Sequence, residues 1–261
     1  MITSIFNHKG GSGKSTTAVN LAAALALKGY KVLLVDLDAQ CNGSKYVGTK
    51  DFDAVSGISI YDILFDNMNP KDAVRATGID GLSCIPSSVR MKNASTRLSQ
   101  DPLSGPGTKL YSSFRRSKIK EDYDFIFLDC PSEIDVITAN ALNAADTCII
   151  PVFADKFSMD GLIETNSAIE SAAMNGTGSE ISLMGVVLCN YRGFTKVAAE
   201  IASDLKEALP ENLFETKIKQ SAAVPTSIAA DTPVVKLDPK SGVAKEFFAL
   251  ADEYIARCKK M

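Results

Sequence analysis

Ile2-Thr3-Ser4-Ile5-Phe6-Asn7-His8-Lys9-Gly10-Gly11-Ser12-Gly13-Lys14-Ser15-Thr16 is an apolar run that breaks into glycine and then meets Ala18, Leu21, Ala22 and Leu25 at helical spacing. A buried strand, a glycine turn and a helix in direct succession aim backbone amides and the free N–H groups of the helix start at one point. Such a point attracts an anion, and a lysine at the helix start adds positive charge to it. The reading predicts a strand over Ile2–Phe6, a helix over Ser15–Leu27 and a phosphate cradle between them. Lys14 is the expected contact for β- and γ-phosphates, and the Ser15 hydroxyl the expected ligand for Mg²⁺.

The rest of the chain repeats this rhythm. Apolar runs at Val32–Val35, Phe125–Leu128, Thr147–Val152 and Leu183–Leu188 suit strands covered on both faces. Helix-period stretches lie at Val136–Ala145, Gly161–Met174 and Thr195–Leu209. Strand alternating with helix predicts an α/β fold: a three-layer, doubly wound, mostly parallel sheet with helices on both faces. With 261 residues the chain reads as one domain, 1–261. Cys41–Gly57 and Ser99–Thr108 read as surface loops from their polar, glycine- and proline-punctuated composition, and Pro225–Gly242 interrupts the rhythm before a last helix.

Two predicted strands end on acids. Val32–Val35 runs into Asp36-Leu37-Asp38-Ala39-Gln40, and Phe125–Leu128 into Asp129-Cys130-Pro131-Ser132. The C-terminal strand ends of a doubly wound sheet gather at the ligand crevice, so these carboxylates are expected beside the cradle, where phosphoryl transfer needs groups to hold Mg²⁺ and orient water. An acid after a strand also serves as a turn former, an alternative that weighs most for Asp36.

Composition narrows the function classes. Apolar residues make up 46% and charged ones 23%, with 28 basic and 31 acidic residues for a net charge of −3. That balance fits a globular protein and advertises no general affinity for nucleic acid, so DNA contact would need a local patch. The six cysteines, Cys41, Cys84, Cys130, Cys148, Cys189 and Cys258, form no C-x-x-C pair and suggest neither a zinc nor an iron–sulfur site. With no signal-peptide pattern and no bilayer-length apolar run, the expectation is a cytoplasmic protein.

Measured against G-x-x-x-x-G-K-[ST], the loop has His8 where the first glycine belongs. His8 itself reads as loop wall rather than catalytic base. Lys9-Gly10-Gly11-Ser12-Gly13-Lys14-Ser15 instead resembles the deviant Walker A sequence of the ParA/MinD superfamily of P-loop ATPases, and the chain is most similar to its ParA-type, Soj-like members. The likeness continues through Tyr123–Asp129, Thr138–Leu142, Ala144–Asp146, Ile150–Val152 and Val234–Tyr254, and is weakest over Gly43–Leu110.

The resemblance implies a slow, partner-stimulated ATPase whose cofactors are ATP and Mg²⁺. Lys9, Gly10, Gly11, Ser12, Gly13, Lys14, Ser15 and Thr16 would hold the nucleotide, and Lys9 would reach the phosphates of the opposite subunit in an ATP-bound homodimer. Asp129 would be the Walker B acid and Asp38 the switch I acid that prepares water, both joining Ser15 at the metal, with Asp36 a secondary candidate. Asn190 would sit by the adenine. The family usually has proline where Ala39 and Ser132 stand. It also implies non-specific DNA binding, a nucleoid-associated location and a ParB-like or adaptor partner. Gln220 and Ala223 stand where relatives often carry DNA-binding arginines, leaving Lys196, Lys206, Lys217 and Lys219 to form a stripe.

Two other functions fit parts of this pattern. A MinD-like membrane switch would use the apolar residues of 242–260 as a lipid-binding helix, although Glu246, Asp252 and Glu253 dilute its basic face. A metabolic P-loop enzyme acting on a small molecule would share the same phosphate loop.

Overall fold

The computed structural model describes residues 1–100, 105–154, 158–175, 181–193 and 195–261. The apolar runs form β1 (Ile2–Ile5), β2 (Val32–Asp36), β5 (Phe125–Asp129), β6 (Thr147–Phe153) and β7 (Ser182–Cys189), with β3 (Arg75–Ala76) and β4 (Leu82–Ile85) between them in the chain. They join one seven-stranded sheet in the order β3-β4-β2-β5-β1-β6-β7. Every pairing is parallel except that of β3 with β4, at the edge.

Side-chain alternation along the strands feeds two separate cores. Val32 and Leu34 of β2 and Phe125 and Phe127 of β5 face α1 (Lys14–Leu27) and the last helix, α11 (Gly242–Cys258). Leu33, Val35, Ile126 and Leu128 face the other way, toward α3 (Ile60–Phe65), α4 (Ala94–Ser99), α5 (Lys109–Ser117), α6 (Val136–Ala144), α7 (Ser158–Asn175) and α8 (Lys196–Ala208). This is the expected three-layer arrangement. The two ends of the chain meet, because the fully buried Tyr254 hydroxyl of α11 lies 2.8 Å from Thr3 Oγ1 of β1.

One expectation needs correcting. Cys41–Gly57 is not simply a surface loop, since it opens with α2 (Asn42–Tyr46), whose Gly43, Ser44 and Tyr46 are buried together with Cys41 and Val47. A one-turn helix with a central glycine has little propensity of its own, so tertiary contact must hold it. In Ser99–Thr108, residues 101–104 lie outside the described residues. The interrupted segment after Pro225 is largely helical, carrying most of α9 (Ala223–Ala229) and all of α10 (Val234–Leu237).

Candidate functional site

The loop after β1 turns on two left-handed glycines, Gly11 at φ 72° and Gly13 at φ 90°, where a side chain would bring strain. Gly13 immediately precedes α1, which begins with neither a capping side chain nor an acid in its first turn. Its first amides therefore keep their donors for an anion from outside. The Lys14 ammonium folds back onto the carbonyl oxygens of Asn7 at 3.0 Å and Lys9 at 3.2 Å. Burial lowers its pKa, while the nearby Asp129 charge works in the opposite direction. Lys9 is half-buried and its amide donates to Asn7 Oδ1 at 2.8 Å; Gly10 is exposed. Ser12 Oγ is buried without a hydrogen-bond partner. His8 walls the loop, with Nδ1 3.1 Å from the Ser132 carbonyl oxygen and Nε2 3.3 Å from Glu164.

Gly11, Ser12, Gly13, Lys14, Ser15 and Thr16 line a cavity of about 460 Å³ whose far side is made by Asp38, by Asn42, Lys45 and Tyr46 of α2, and by Ile228 and Asp231. A second cavity of about 220 Å³ shares Gly13, Thr16 and Phe153 with the first and is otherwise lined by residues including Cys189, Asn190, Ile218, Gln220, Val224 and Pro225. The first sets Lys14 and Lys45 beside Asp38, Asp231 and the loop's backbone, and the second is more apolar. Together they suit a ligand with a polyanionic end and a flat, less polar one. Asn190, at φ 51°, falls in the second cavity, on the side expected for a base.

The carboxylates are set by sheet register. Asp36 of β2 lies opposite Asp129 of β5, and the period of two turns both toward the α1 face. Asp36 is buried and accepts three hydrogen bonds, from the Ser44 amide and hydroxyl, each at 2.7 Å, and from the Asp38 amide at 3.1 Å. Burial still raises its pKa to about 6 against these bonds. Asp129 is equally buried, yet neither of its oxygens has a hydrogen-bond partner. Burial first, and then the Asp36 charge, push its pKa well above the carboxylate range; Ser15 approaches as a donor but falls short of hydrogen-bond geometry. Asp38 is half-buried at the cavity wall, where its Oδ1 accepts from the Gln40 amide at 2.8 Å.

An orphaned buried carboxylate beside a hydroxyl and a second carboxylate is an oxygen donor set of the kind a hard divalent cation takes. Asp129, Ser15 and Asp38 therefore fit Mg²⁺. Asp36, the secondary candidate, gives its hydrogen-bonding capacity to the Ser44 and Asp38 backbone and the Ser44 hydroxyl. The approach is close: a β-carbon on Gly43 would sit 2.7 Å from Asp129 Oδ2 and 3.2 Å from Asp36 Oδ2.

The proposed lysine stripe is partly engaged within the chain. Lys206 lies 3.6 Å from Glu215 and Lys219 3.4 Å from Glu246, while Lys217 sits 5.0 Å over the Tyr191 ring; Lys196 is exposed. Gln220 lines the second cavity, and Ala223 begins α9. On α11, Val243, Phe247, Leu250, Ala251 and Tyr254 are buried in the core. That helix has no apolar face left to offer a lipid surface, and among the described residues no helix is long and apolar enough to cross a membrane.

Tyr46, Phe153, Val224, Ile228 and Asp231 went unnoticed in the sequence. They stand outside the phosphate motif, and four of them lie on segments the hydrophobic pattern left without an element. The one available signal was Gly43-Ser44 soon after Asp36, small residues where a helix must pass close to an acid.

A family model described as an AAA domain matches residues 1–180. The chain is 30% identical over 255 residues to the sporulation initiation inhibitor protein Soj of Bacillus subtilis, covering 98% of each. It is 31% identical over 254 residues to the chromosome-partitioning ATPase Soj of Treponema pallidum, covering 96% of this chain and 95% of that protein. Among solved structures it is similar to apo McdA of Cyanothece, with a TM-score of 0.84 and 24% identity over 97% of this chain and 98% of that one.

Proposed function

The chain belongs to the family described as an AAA domain and, with it, to the ParA/MinD superfamily of ATPases, and from that premise we propose that it is a ParA-type partition ATPase. It binds Mg·ATP with its phosphates in the cradle of residues 9–16 and its base in the cavity of Asn190. ATP closes two copies face to face, the dimer holds DNA without sequence preference, and a ParB-like or adaptor protein stimulates hydrolysis and release. The cargo is a plasmid, a chromosome region or another assembly.

The observation that carries this reading is the buried, hydrogen-bond-free Asp129 facing an uncapped helix start. A carboxylate so placed is costly in an empty fold and favourable beside a cation. Asp129, Asp38 and the Ser15 hydroxyl would hold Mg²⁺, which when bound draws off charge developing on the phosphate oxygens. Lys14 leaves the carbonyls of Asn7 and Lys9 to meet the β- and γ-phosphates. Asp38 orients the attacking water, whose oxygen bonds to the γ-phosphorus as the bond to the ADP oxygen breaks. Lys9 contributes its charge to the partner copy. The γ-phosphate is all that separates ATP from ADP, so only groups touching it make the protein a switch.

Identity to the Soj proteins over nearly the whole chain supports partition over small-molecule chemistry. Burial of the α11 apolar residues supports DNA over a lipid surface as the track. The test is size-exclusion chromatography and DNA mobility shift on the purified protein with ADP, ATP and a non-hydrolysable analogue. The reading expects a dimer and a salt-sensitive DNA shift with ATP or the analogue and neither with ADP. A monomer under all three nucleotides, at concentrations where calorimetry shows them bound, would refute the switch.

A further inference from the structure

We propose that Tyr46 is a positioning residue that carries the state of the phosphate cavity to the wall of the base cavity. The inference rests on the nucleotide-site reading above and deepens it by naming how the two halves communicate.

The argument begins at Thr16, which lines both cavities. One turn later on α1, Asn20 donates from Nδ2 to the Thr16 carbonyl oxygen and to the Tyr46 hydroxyl, each at 2.9 Å. The Tyr46 hydroxyl lies 2.7 Å from Ser227 Oγ, and Ser227 donates to the Val224 carbonyl oxygen at 2.8 Å. Because the Ser227 proton is committed to Val224, the proton between Tyr46 and Ser227 belongs to Tyr46. The bonds from Asn20 onward therefore run one way, amide to tyrosine to serine to carbonyl, an alignment in which each bond polarises the next. Asn20 and Ser227 are fully buried and Tyr46 is 3% exposed, so no solvent replaces a partner that moves away.

Tyr46 in the middle of this run and Val224 at its end are each tied to a cavity wall. Tyr46 sits two residues after Ser44, which Asp36 grips through its amide and hydroxyl. Gly43 leaves α2 no slack against Asp129. A cation or phosphate arriving at Asp38 and Asp129 must therefore act on α2, and α2 on the Tyr46 hydroxyl. At the other end, α9 forms a wall common to the two cavities, with Val224 and Pro225 lining one and Ile228 the other. The Val224 amide bonds back to the Ser221 carbonyl oxygen, joining α9 to the segment that carries Lys217 and Lys219. The hydroxyl thus stands on the path from the γ-phosphate side of the site to that segment, whereas the ring merely fills the core.

Tyr46→Phe separates these roles, removing the hydroxyl and keeping the ring. The measurement is amide hydrogen exchange over residues 223–231 with saturating Mg·ADP and with a saturating non-hydrolysable ATP analogue, occupancy being checked by calorimetry. In the wild type we expect exchange at least about fivefold slower with the analogue than with ADP. In Tyr46→Phe and in Ser227→Ala the two nucleotides are expected to give the same exchange, and Ser227→Thr, which keeps a hydroxyl, to restore the difference. An intact nucleotide difference in Tyr46→Phe or Ser227→Ala, or none in the nucleotide-loaded wild type, overturns the proposal while leaving the ATPase reading standing. If calorimetry finds no magnesium-dependent nucleotide binding to the wild type, the ATPase reading falls and this inference falls with it.

Discussion

The ends of β2 and β5 are neighbours in strict register, yet the fold treats their carboxylates in opposite ways. Asp36 has all the hydrogen bonds and Asp129 has none. The satisfied acid pins down the helix that passes over it, and the unsatisfied one is a fully buried carboxyl without a hydrogen bond, near Lys14 and Ser15. Burial alone therefore does not tell a structural carboxylate from a ligand-binding one; the hydrogen-bond inventory does. One acid shapes the site through its hydrogen bonds, and the other keeps its oxygens unspent.

That contrast can be broken by experiment. The largest effect is expected from Lys14→Ala, which removes the cation beside Asp129: kcat/KM for ATP hydrolysis should fall on the order of 10³-fold, measured by phosphate release. Asp38→Ala should lower kcat by about 10²-fold while calorimetry still finds Mg·ATP bound, and it should accumulate an ATP-bound dimer on size exclusion. Robust turnover by that variant would remove Asp38 from the chemistry.

The neutral isosteres test the pair directly. Without ligand, Asp129→Asn relieves the cost of burying an ionisable carboxyl without a hydrogen bond and is expected to raise the melting temperature by about 2–4 °C, while Asp36→Asn disturbs three donors and should lower it by a similar amount, as read by calorimetry. Equal signs for the two would erase the distinction.

The smallest effect belongs to a satisfied acid far from the cavity. Glu253 is desolvated by α11, but hydrogen bonds from the Thr216 and Glu215 amides and from Arg257 outweigh this and hold its pKa below the usual glutamate value. A depressed pKa gives stability that is present above the unfolded value near 4.5 and is lost as pH falls through the folded one. Glu253→Gln should accordingly cost about 1–2 °C at pH 7, with the gap from wild type closing as pH falls through the lowered folded pKa.

Much of this arrangement was legible in the residues. The predicted strands and helices match the observed ones to within a few residues, because β1, β2, β5, β6 and β7 are continuous apolar runs with most of their side chains buried. The phosphate loop announced itself through glycine, lysine and hydroxyl in fixed order. Asp38 and Asp129 followed from strand ends. What escaped was whatever depends on contact rather than pattern. The one-turn α2 exists because Asp36 holds Ser44; four-residue β4 borrows its order from β2; and the second cavity is assembled from Phe153, Asn190 and Val224, which the chain separates widely. The opposite treatment of Asp36 and Asp129 was likewise invisible, since both read as an acid after a strand.

The pairing of Asp36 with Asp129 across β2 and β5 also limits how the gene can change length. Deleting one residue within either strand would swing its acid to the far side of the sheet and exchange the two cores' side chains at a stroke. Insertions and deletions in relatives should therefore collect in the stretch after α2 and before β5, leaving the distances from strand to acid the same in every working copy.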